Sequence, residues 1–206
     1  MIRGINGEGS RAMIQRLIVG LSGASGQIYG IRLLEVVKGV SQIETHLVVS
    51  DAARITIAQE TDLDVHDVEA LADVVHRVTD IGAAIASGSF ATMGMVVVPC
   101  SIKTLSAIAN SYDVNLIVRA ADVQLKQGRP VVLVVRETPL HLGHLRLMVQ
   151  ATEIGCTIMP PVPAFYSRPK TLDDVIDRTV GRVLARLGID NTLYDEWLGM
   201  RKALKQ

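Results

Sequence analysis

The chain has few aromatic residues: Phe, Trp and Tyr together make up 3% of its 206 residues. Its core must therefore be aliphatic, and a hydrophobic content of 49% suits a sheet that is buried on both faces. No apolar run reaches the length of about 18 residues that a membrane span needs. The two cysteines, Cys100 and Cys156, each follow or begin an apolar run, which favours buried free thiols and a cytoplasmic location.

The chain also lacks an excess of charge of either sign, because 21 basic residues balance 21 acidic ones. Nothing in this balance indicates a nucleic-acid-binding surface. The first residues are polar and glycine-rich without an apolar segment, so they do not resemble a secretory signal. We expect residues 1–15 to form a flexible polar arm and residues 16–206 to form a single domain.

Strand and helix patterns alternate along the rest of the chain. Such alternation predicts an α/β fold with a doubly wound parallel sheet. The predicted strands cover residues 17–21, 45–49, 95–98, 131–135 and 156–159. The predicted helices cover residues 28–37, 50–59, 64–75, 103–109, 116–126, 142–154 and 171–187.

The most informative segment is residues 16–30, where an apolar strand passes into the small-residue loop SGASG and then into a helix. Its glycines, Gly20, Gly23 and Gly26, do not have the spacing of a dinucleotide fingerprint, and the loop is neither a P-loop nor a nucleophile elbow. Backbone N–H groups at the positive end of a helix favour a phosphate, so the loop predicts a nucleotide or a phosphorylated cofactor. The alternative is a tight turn without a ligand, in which Ser25 caps the helix.

Polar residues follow every predicted strand. They include 22–25 after the first strand, Ser50 after the second, 99–104 after the third, 136–137 after the fourth and 165–166 after the last. Open parallel sheets bind ligands outside the carboxyl ends of their strands. The sequence therefore predicts a binding site at this edge of the sheet.

Several of these polar residues have simpler interpretations. Arg136 and Glu137 are either a solvated charge pair or a phosphate-binding guanidinium beside a general acid or base. Arg119 and Lys126 share one helix face and, taken alone, indicate solvated charges.

Two further groups of residues suggest chemistry only weakly. His141 and His144 have a spacing that would suit a metal, but no third ligand accompanies them. Cys100 has no base partner in the sequence, which favours a structural thiol over a nucleophile.

Seven short motifs in the same order resemble the flavin prenyltransferases of the UbiX type, which were formerly described as 3-octaprenyl-4-hydroxybenzoate or phenylacrylate decarboxylases. The resemblance extends from about Arg16 to Trp197. The motifs are SGASG (22–26), ETD (60–62), SGSF (87–90), PCSIKTL (99–105), RAADVxLK (119–126), RETP (136–139) and PPxPAFY (160–166).

This resemblance implies a flavodoxin-like, three-layer α/β/α Rossmann fold that assembles as a homododecamer, with active sites at subunit contacts. It implies metal-independent transfer of a dimethylallyl group from dimethylallyl phosphate to N5 and C6 of reduced FMN. The prenylated FMN would then serve a UbiD-type decarboxylase in ubiquinone biosynthesis.

The resemblance also implies roles for individual residues. Proton-handling residues would be Ser25, Glu60 and Glu137. FMN would contact Gly23, Ala24, Ser25, Ser50, Ser101, Ile102, Lys103, Thr104 and Arg136. The phosphate of the donor would contact Arg119, Lys126, Arg136, Tyr166 and Arg182. Four cations suit a leaving phosphate on which negative charge develops, and the Asp-rich motifs that hold magnesium in diphosphate prenyltransferases are absent from the sequence.

Two other functions remain open from the sequence. One is an FMN-dependent decarboxylase of the cysteine-decarboxylase type on the same fold, although a thiol–carboxylate substrate does not require so many cations. The other is a non-catalytic flavin carrier, which the presence of both Glu60 and Glu137 disfavours.

Overall fold

The computed structural model describes residues 14–199. Within these residues, helices and strands alternate as the sequence predicts. The strands are β1 (Gln15–Leu21), β2 (Ile43–Val49), β3 (Val74–His76), β4 (Gly94–Cys100), β5 (Val131–Val135) and β6 (Cys156–Ile158). The helices are α1 (Gln27–Lys38), α2 (Asp51–Glu60), α3 (Val65–Glu69), α4 (Ile102–Ala109), α5 (Leu116–Lys126), α6 (Leu142–Glu153) and α7 (Leu172–Arg186). Short 3₁₀ helices occur at Ala84–Ala86 and Phe165–Ser167.

The strands form one parallel sheet in the order β3-β2-β1-β4-β5-β6. Without the short edge strand β3, this is the order of a flavodoxin-like sheet, and with β3 it is the six-stranded Rossmann order. The predicted doubly wound parallel sheet is confirmed. The strand order reverses between β1 and β4, so the fold opens a crevice at the carboxyl ends of these two strands.

Helices cover both faces of the sheet, which produces three layers. Alternate side chains of β1 face opposite layers: Leu17 and Leu21 pack with residues of α1 and α7, whereas Ile18 packs with residues of α4 and α5. These strand residues are fully buried. No helix within residues 14–199 is long and apolar enough to cross a membrane.

The polar residues that follow the strands begin helices. The side-chain oxygens of Ser50, Ser101 and Asn115 accept the N–H groups of Ala53, Thr104 and Val118, at 3.1, 3.3 and 3.1 Å. These are N-caps, which satisfy backbone donors that the first turn of a helix leaves free. Capping therefore explains part of the hydroxyl-rich pattern at the carboxyl edge.

The predicted helix over residues 64–75 is wrong in its second half, where the chain forms β3. Distant contacts hold this segment against β2: the Asp73 carboxylate accepts the Thr45 N–H at 2.7 Å and its hydroxyl at 2.8 Å, and His46 Nδ1 lies 2.9 Å from His76 Nε2. These contacts override the local helical pattern.

The amino-terminal boundary also differs from the prediction. β1 begins at Gln15, two residues before the predicted strand, so the last residue of the predicted arm belongs to the sheet. Residues 1–13 of that arm lie outside the described residues.

Gly30 allows α1 to pack closely against the sheet. A Cβ atom at Gly30 would lie 2.4 Å from Leu21 Cδ2 and 2.4 Å from the Val98 carbonyl oxygen. We expect Gly30→Ala to lower the free energy of unfolding by about 1–3 kcal/mol in urea titrations, because the added methyl group overpacks this contact.

Gly39, at the other end of α1, provides the matched control. A Cβ atom there would come no closer than 3.5 Å to another atom, at the Val36 carbonyl oxygen. Gly39→Ala should change stability by less than about 0.5 kcal/mol. A Gly30→Ala variant as stable as Gly39→Ala would show that α1 does not need this close approach.

Candidate active site

A buried hydroxyl joins the two sides of the crevice. Ser22, directly after β1, is 1% exposed. Its Oγ donates to the Pro99 carbonyl oxygen at 2.9 Å and accepts the Ser101 N–H at 2.8 Å. This hydroxyl therefore fixes the loop after β1 to the end of β4, at the point where the strand order reverses.

Gln27 holds the same loop from the other side. Its fully buried side-chain NH₂ donates to the carbonyl oxygens of Ser22 at 2.8 Å and Ala24 at 2.9 Å. Gly23 fits between these anchors only without a side chain, because a Cβ atom would lie 2.3 Å from the Ala52 Cβ atom. The sequence analysis did not assign Ser22 or Gln27, and their position in and directly after SGASG is the signal that could have identified them.

The amino-terminal end of α1 is already occupied by a carboxylate of the chain. Glu60 Oε2 accepts the N–H groups of Gly26 at 2.8 Å and Gln27 at 3.0 Å. Gly26 is the N-cap, in a left-handed conformation with φ 99° and without a side-chain cap. The expectation that Ser25 caps α1 is therefore wrong, because Gly26 is the N-cap and Glu60 from the end of α2 accepts these N–H groups, whereas a phosphate at the loop of residues 23–25 stays a prediction.

The surroundings of Glu60 favour its ionised form. Burial raises the pKa of Glu60. Hydrogen bonds from Ser25, Gln27 and Gly26, together with the charge of Arg136, lower it by more than burial raises it, so the pKa lies below its ordinary value. At neutral pH, Glu60 is therefore a carboxylate that can accept a proton.

Arg136 also acts on a neighbouring phenol. Burial raises the pKa of Tyr29, and the charge of Arg136 opposes this effect. The guanidinium of Arg136 thus lies near both Glu60 and the first turn of α1.

A cavity of about 450 Å³ lies beside the loop after β1, in the size range of cofactor sites. The predicted FMN residues Gly23, Ser50, Ser101, Lys103 and Thr104 line it. The remaining lining residues are Asp51, Ala52, Val78, Thr79, Ile81, Ala107, Val114, Asn115 and Val118. The amino-terminal ends of α2, α4 and α5 thus meet at one cavity.

This cavity has the chemistry that FMN requires. Positive helix ends, hydroxyls and Lys103 suit a phosphate group, whereas Val78, Val114 and Val118 suit a flat apolar ring system. The donor set of this cavity therefore fits FMN.

The other predicted residues near the flavin lie around this cavity and do not line it. Ala24 is buried and Ser25 exposed in the loop after β1, and Ile102 begins α4. Arg136 follows β5 with an exposed side chain, and its N–H donates to the Cys100 carbonyl oxygen at 3.0 Å. Glu137 is also exposed, and its carboxylate accepts the N–H of Thr138 at 3.0 Å.

A second cavity, of about 190 Å³, brings Tyr166 and Arg182 together. It also contains Arg178, which donates a hydrogen bond to the Tyr166 hydroxyl and lies 4.6 Å from the centre of the Tyr166 ring. The cavity is further lined by Met159, Pro160, Val162, Ala164, Val175 and Thr179. Sequence analysis missed Arg178, although its spacing of four residues from Arg182 places both on one face of α7.

The structure does not bring Arg119 and Lys126 to the same place as Arg136. Asn115, the N-cap of α5, lines the large cavity, and α5 then runs to Lys126 over about 16 Å. Arg129, just beyond Lys126, donates to the Phe90 carbonyl oxygen at 2.8 Å. Phe90 precedes Gly94, the residue at which β4 begins, so this contact lies at the amino-terminal edge of the sheet. Lys126 therefore lies near the opposite edge of the sheet from Arg136.

Arg119 lies in the first part of α5 and is paired within its own chain. Its guanidinium lies 3.0 Å from the Asp113 carboxylate and 3.4 Å from the Asp122 carboxylate. To bind a phosphate, Arg119 must either keep these carboxylates while it also contacts the phosphate, or release them.

Two of the weaker candidates have structural roles. Cys100 is fully buried, and burial raises the pKa of its thiol, so the structural interpretation is confirmed. His141 Nδ1 accepts the N–H of Gly143 at 3.0 Å and so caps α6.

Comparison with known proteins now identifies the family. Residues 7–183 match the Flavoprotein family model. The flavin prenyltransferase UbiX of Escherichia coli K12 is 63% identical over 188 residues, which cover 90% of this chain and all of that protein. The chain belongs to the UbiX family of flavin prenyltransferases. A relative from Thauera aromatica is 58% identical over 89% of this chain and 94% of its own length.

Solved structures of the family share the fold. AnUbiX (PadA1), in complex with FMN and dimethylallyl pyrophosphate, has a TM-score of 0.88 and 46% identity, and the match covers 90% of this chain and 98% of that one. A dodecameric FMN-dependent UbiX-like decarboxylase from E. coli O157:H7 gives the same TM-score and identity, over 90% of this chain and all of that one. The FMN-dependent cysteine decarboxylase TvaF, at 16% identity, shares the fold alone.

The position of Glu60 at the start of α1 leads to a pH-dependent contribution to stability. Because its pKa is lowered in the folded state, the stabilisation is complete above the ordinary value of 4.5 and is lost as the pH falls through the lowered value. We expect Glu60→Gln to be less stable than the wild type at about pH 7, with a difference that shrinks towards about pH 3 in urea unfolding.

Glu153→Gln serves as the control, because the Glu153 side chain forms no hydrogen bond or ion pair within residues 14–199. The difference in stability between Glu153→Gln and the wild type should stay the same from about pH 7 to about pH 3. A Glu60→Gln difference that is constant with pH would contradict the lowered pKa.

Proposed function

We propose that this chain transfers a dimethylallyl group from dimethylallyl phosphate to N5 and C6 of reduced FMN. The observation that carries the proposal is the combination at one sheet edge of an FMN-sized cavity, an ionised Glu60 and an arginine-lined cavity. The 63% identity to the E. coli flavin prenyltransferase UbiX supports the same activity.

FMN supplies the two atoms, N5 and C6, that form the new bonds to the dimethylallyl group. We assign its binding to Gly23, Ala24, Ser25, Ser50, Ser101, Ile102, Lys103, Thr104 and Arg136. In this assignment the phosphate lies at the capped starts of α2 and α4, where Ser50, Ser101 and Lys103 lie. The hydrogen bonds of Ser22 and Gln27 keep the neighbouring loop rigid, so that the site is formed before the ligand arrives.

The leaving phosphate takes the electron pair of the bond that breaks, and cations must stabilise the negative charge. We assign this role to Arg119, Lys126, Arg136 and Arg182, with Tyr166 as a hydroxyl donor. Glu137 protonates the departing phosphate and later accepts the proton from C6, while Glu60 accepts a proton through the hydroxyl of Ser25. The lowered pKa keeps Glu60 ionised at neutral pH, so its carboxylate is free of a proton, and the exposed position of Glu137 at the end of β5 allows it to reach a ligand.

We further infer that the active site is completed by neighbouring copies of the chain in a homododecamer. Lys126 and Arg136 lie near opposite edges of the sheet, so one chain cannot place both on a single phosphate. The dodecameric assembly of the E. coli O157:H7 relative supports this arrangement.

We also propose that the product, prenylated FMN, serves a UbiD-type decarboxylase in ubiquinone biosynthesis, as the family resemblance implies. The two buried free thiols, Cys100 and Cys156, favour a reducing compartment such as the cytoplasm.

Variants of Glu137 and Arg182 should fail in different ways. Glu137→Gln keeps the shape of the side chain but cannot exchange a proton, so it should still bind FMN and dimethylallyl phosphate and slow turnover by about 100-fold or more. Arg182→Ala removes a charge-assisted contact and should mainly weaken binding of the donor, by about 1.5–3 kcal/mol. Single-turnover absorbance of anaerobically reduced FMN, across donor concentrations, measures both effects.

The same assay can refute the role assignment. If excess donor restores Glu137→Gln but not Arg182→Ala, the two roles are reversed. If wild-type protein with reduced FMN and dimethylallyl phosphate yields no flavin with the mass of the prenylated product, the chain is not a prenyltransferase. Release of CO₂ from a thiol–carboxylate substrate would then favour the decarboxylase alternative.

Mixed oligomers test whether subunits share a site. At donor concentrations far below the weakened affinity, Lys126→Ala and Arg182→Ala should each show little activity alone, because each removes a cation from every site. When they are co-expressed, random mixing should restore about a quarter of the sites if the two residues come from different chains. Co-expression of Lys126→Ala with wild-type chains serves as the control, because its activity shows whether the two kinds of chain mix at random. No activity in the mixed Ala variants would place both residues in one chain.

A further inference from the structure

Two histidine rings stack between β2 and the edge strand β3, and the proposed reaction gives them no role. His46 on β2 and His76 at the carboxyl end of β3 have ring centres 5.2 Å apart, with planes inclined by 16°. His46 Nδ1 lies 2.9 Å from His76 Nε2. His46 is 4% exposed, and the Phe90 ring packs against it edge-on, with the ring centres 5.2 Å apart. The two rings therefore form a largely buried pair that can titrate.

Charged groups surround this pair. Glu44 Oε1 lies 2.9 Å from His46 Nε2 and also accepts a hydrogen bond from Arg16 at 2.8 Å. Hydrogen bonds from His46 and Arg16 lower the pKa of Glu44, so it is a carboxylate that accepts the Nε2 proton of His46. The guanidinium of Arg16 lies 4.6 Å from the centre of the Phe90 ring, and Arg129 donates to the Phe90 carbonyl oxygen at 2.8 Å. Glu44 thus favours a positive charge on His46, whereas the two arginines oppose a second one nearby.

The contact between the two rings has room for only one proton. A hydrogen bond between His46 Nδ1 and His76 Nε2 needs an N–H on one ring and a lone pair on the other. The pair can therefore carry one positive charge and keep its contact, but a second charge would set two N–H groups against each other. Burial and the charge of His46 lower the pKa of His76, and Asp80 opposes this effect. Double protonation is therefore disfavoured while the rings stay stacked.

The carboxyl end of β3 leads directly to the wall of the larger cavity. Only Arg77 separates His76 from Val78. Val78, Thr79 and Ile81 line the cavity, and the Val78 carbonyl oxygen accepts the first N–H of α5 at 2.9 Å. β3 has three residues and pairs only with β2. Release of His76 would therefore move residues that border the predicted FMN site.

We propose that uptake of a second proton by the His46–His76 pair below about pH 6.5 frees the carboxyl end of β3, loosens this cavity wall and lowers the affinity for FMN. The amino-terminal end of β3 stays attached, because the hydrogen bonds of Thr45 lower the pKa of Asp73 and keep it ionised in this range. The effect on affinity rests on the FMN site of the proposed function, whereas the opening of β3 does not.

The direction of the pH dependence follows from the pKa of His76. This pKa lies below its ordinary value of 6.5 while the rings are stacked, so the open state binds the extra proton more tightly. The stacked state is therefore fully favoured above pH 6.5 and becomes less stable as the pH falls. Uptake of one proton on opening changes the equilibrium by at most about 10-fold per pH unit.

Hydrogen exchange of residues 74–81 in the full chain measures the opening, after correction for the intrinsic exchange rate at each pH. We expect exchange in the wild type to rise by about 5–10-fold between about pH 6.5 and 5.5. His76→Gln keeps a donor for His46 Nδ1 but cannot be protonated, so its exchange should rise by less than about 2-fold. His76→Phe keeps a flat ring without a proton and should behave like His76→Gln.

Quenching of FMN fluorescence measures whether the opening reaches the cavity. From about pH 7.5 to 5.5, the FMN dissociation constant of the wild type should rise by about 3–10-fold more than that of His76→Gln. The phosphate of FMN titrates near a pH of about 6, but this affects both proteins alike. The range lies above the ordinary pKa of Glu60, which is 4.5. His66→Gln removes a histidine whose side chain is 86% exposed and should match the wild type.

The outcomes separate this inference from the proposed function. Equal pH dependence of exchange in the wild type and in both His76 variants would overturn the role of the histidine pair. A difference in exchange without a difference in FMN affinity would overturn its coupling to the cavity. If the wild type does not bind FMN even at about pH 7.5, where the pair is stacked, the proposed function fails, and hydrogen exchange still tests the opening of β3.

Discussion

The geometry of the site depends on the buried hydroxyl of Ser22. This group accepts an N–H from Ser101 and donates to the carbonyl of Pro99, and so it joins β1 to β4 where the strand order reverses. At that point an open parallel sheet would otherwise leave two strand ends diverging with unsatisfied backbone groups. The join fixes the loop after β1 relative to the start of α4, and both line the larger cavity.

Electrostatics then determine where negative ligands bind. Since Glu60 occupies the positive end of α1, we propose that a ligand phosphate lies at the starts of α2 and α4 instead. The same contacts keep Glu60 ionised beside Ser25 and Arg136. One carboxylate therefore stabilises the loop and stays ionised, so the same contacts that hold the fold set the charge of the residue for which we propose a role in proton transfer.

The sequence predicted the sheet and its carboxyl edge well, because buried parallel strands such as residues 131–135 are continuous apolar runs with no competing pattern. It did not predict β3, since the contacts of Asp73 with Thr45 and of His76 with His46 join residues that are far apart in sequence. It did not predict that Glu60 accepts the N–H groups at the start of α1, because a local motif contains no information about a distant residue. The sequence therefore identified residues that lie within one motif, but not the contacts that these residues make with other strands and helices.

The arginines of α5 and α7 differ in whether a carboxylate of the same chain pairs with them. Arg119 is neutralised inside its own chain by Asp113 and Asp122, so it adds no net charge until another group competes for it. Arg178 and Arg182 have no such partner within the described residues, and their mutual repulsion costs stability in the free chain. An anion bound between them would remove that repulsion and so stabilise the fold. The two positive charges that destabilise the free chain would thereby favour binding of an anion such as the donor phosphate that we propose for this cavity.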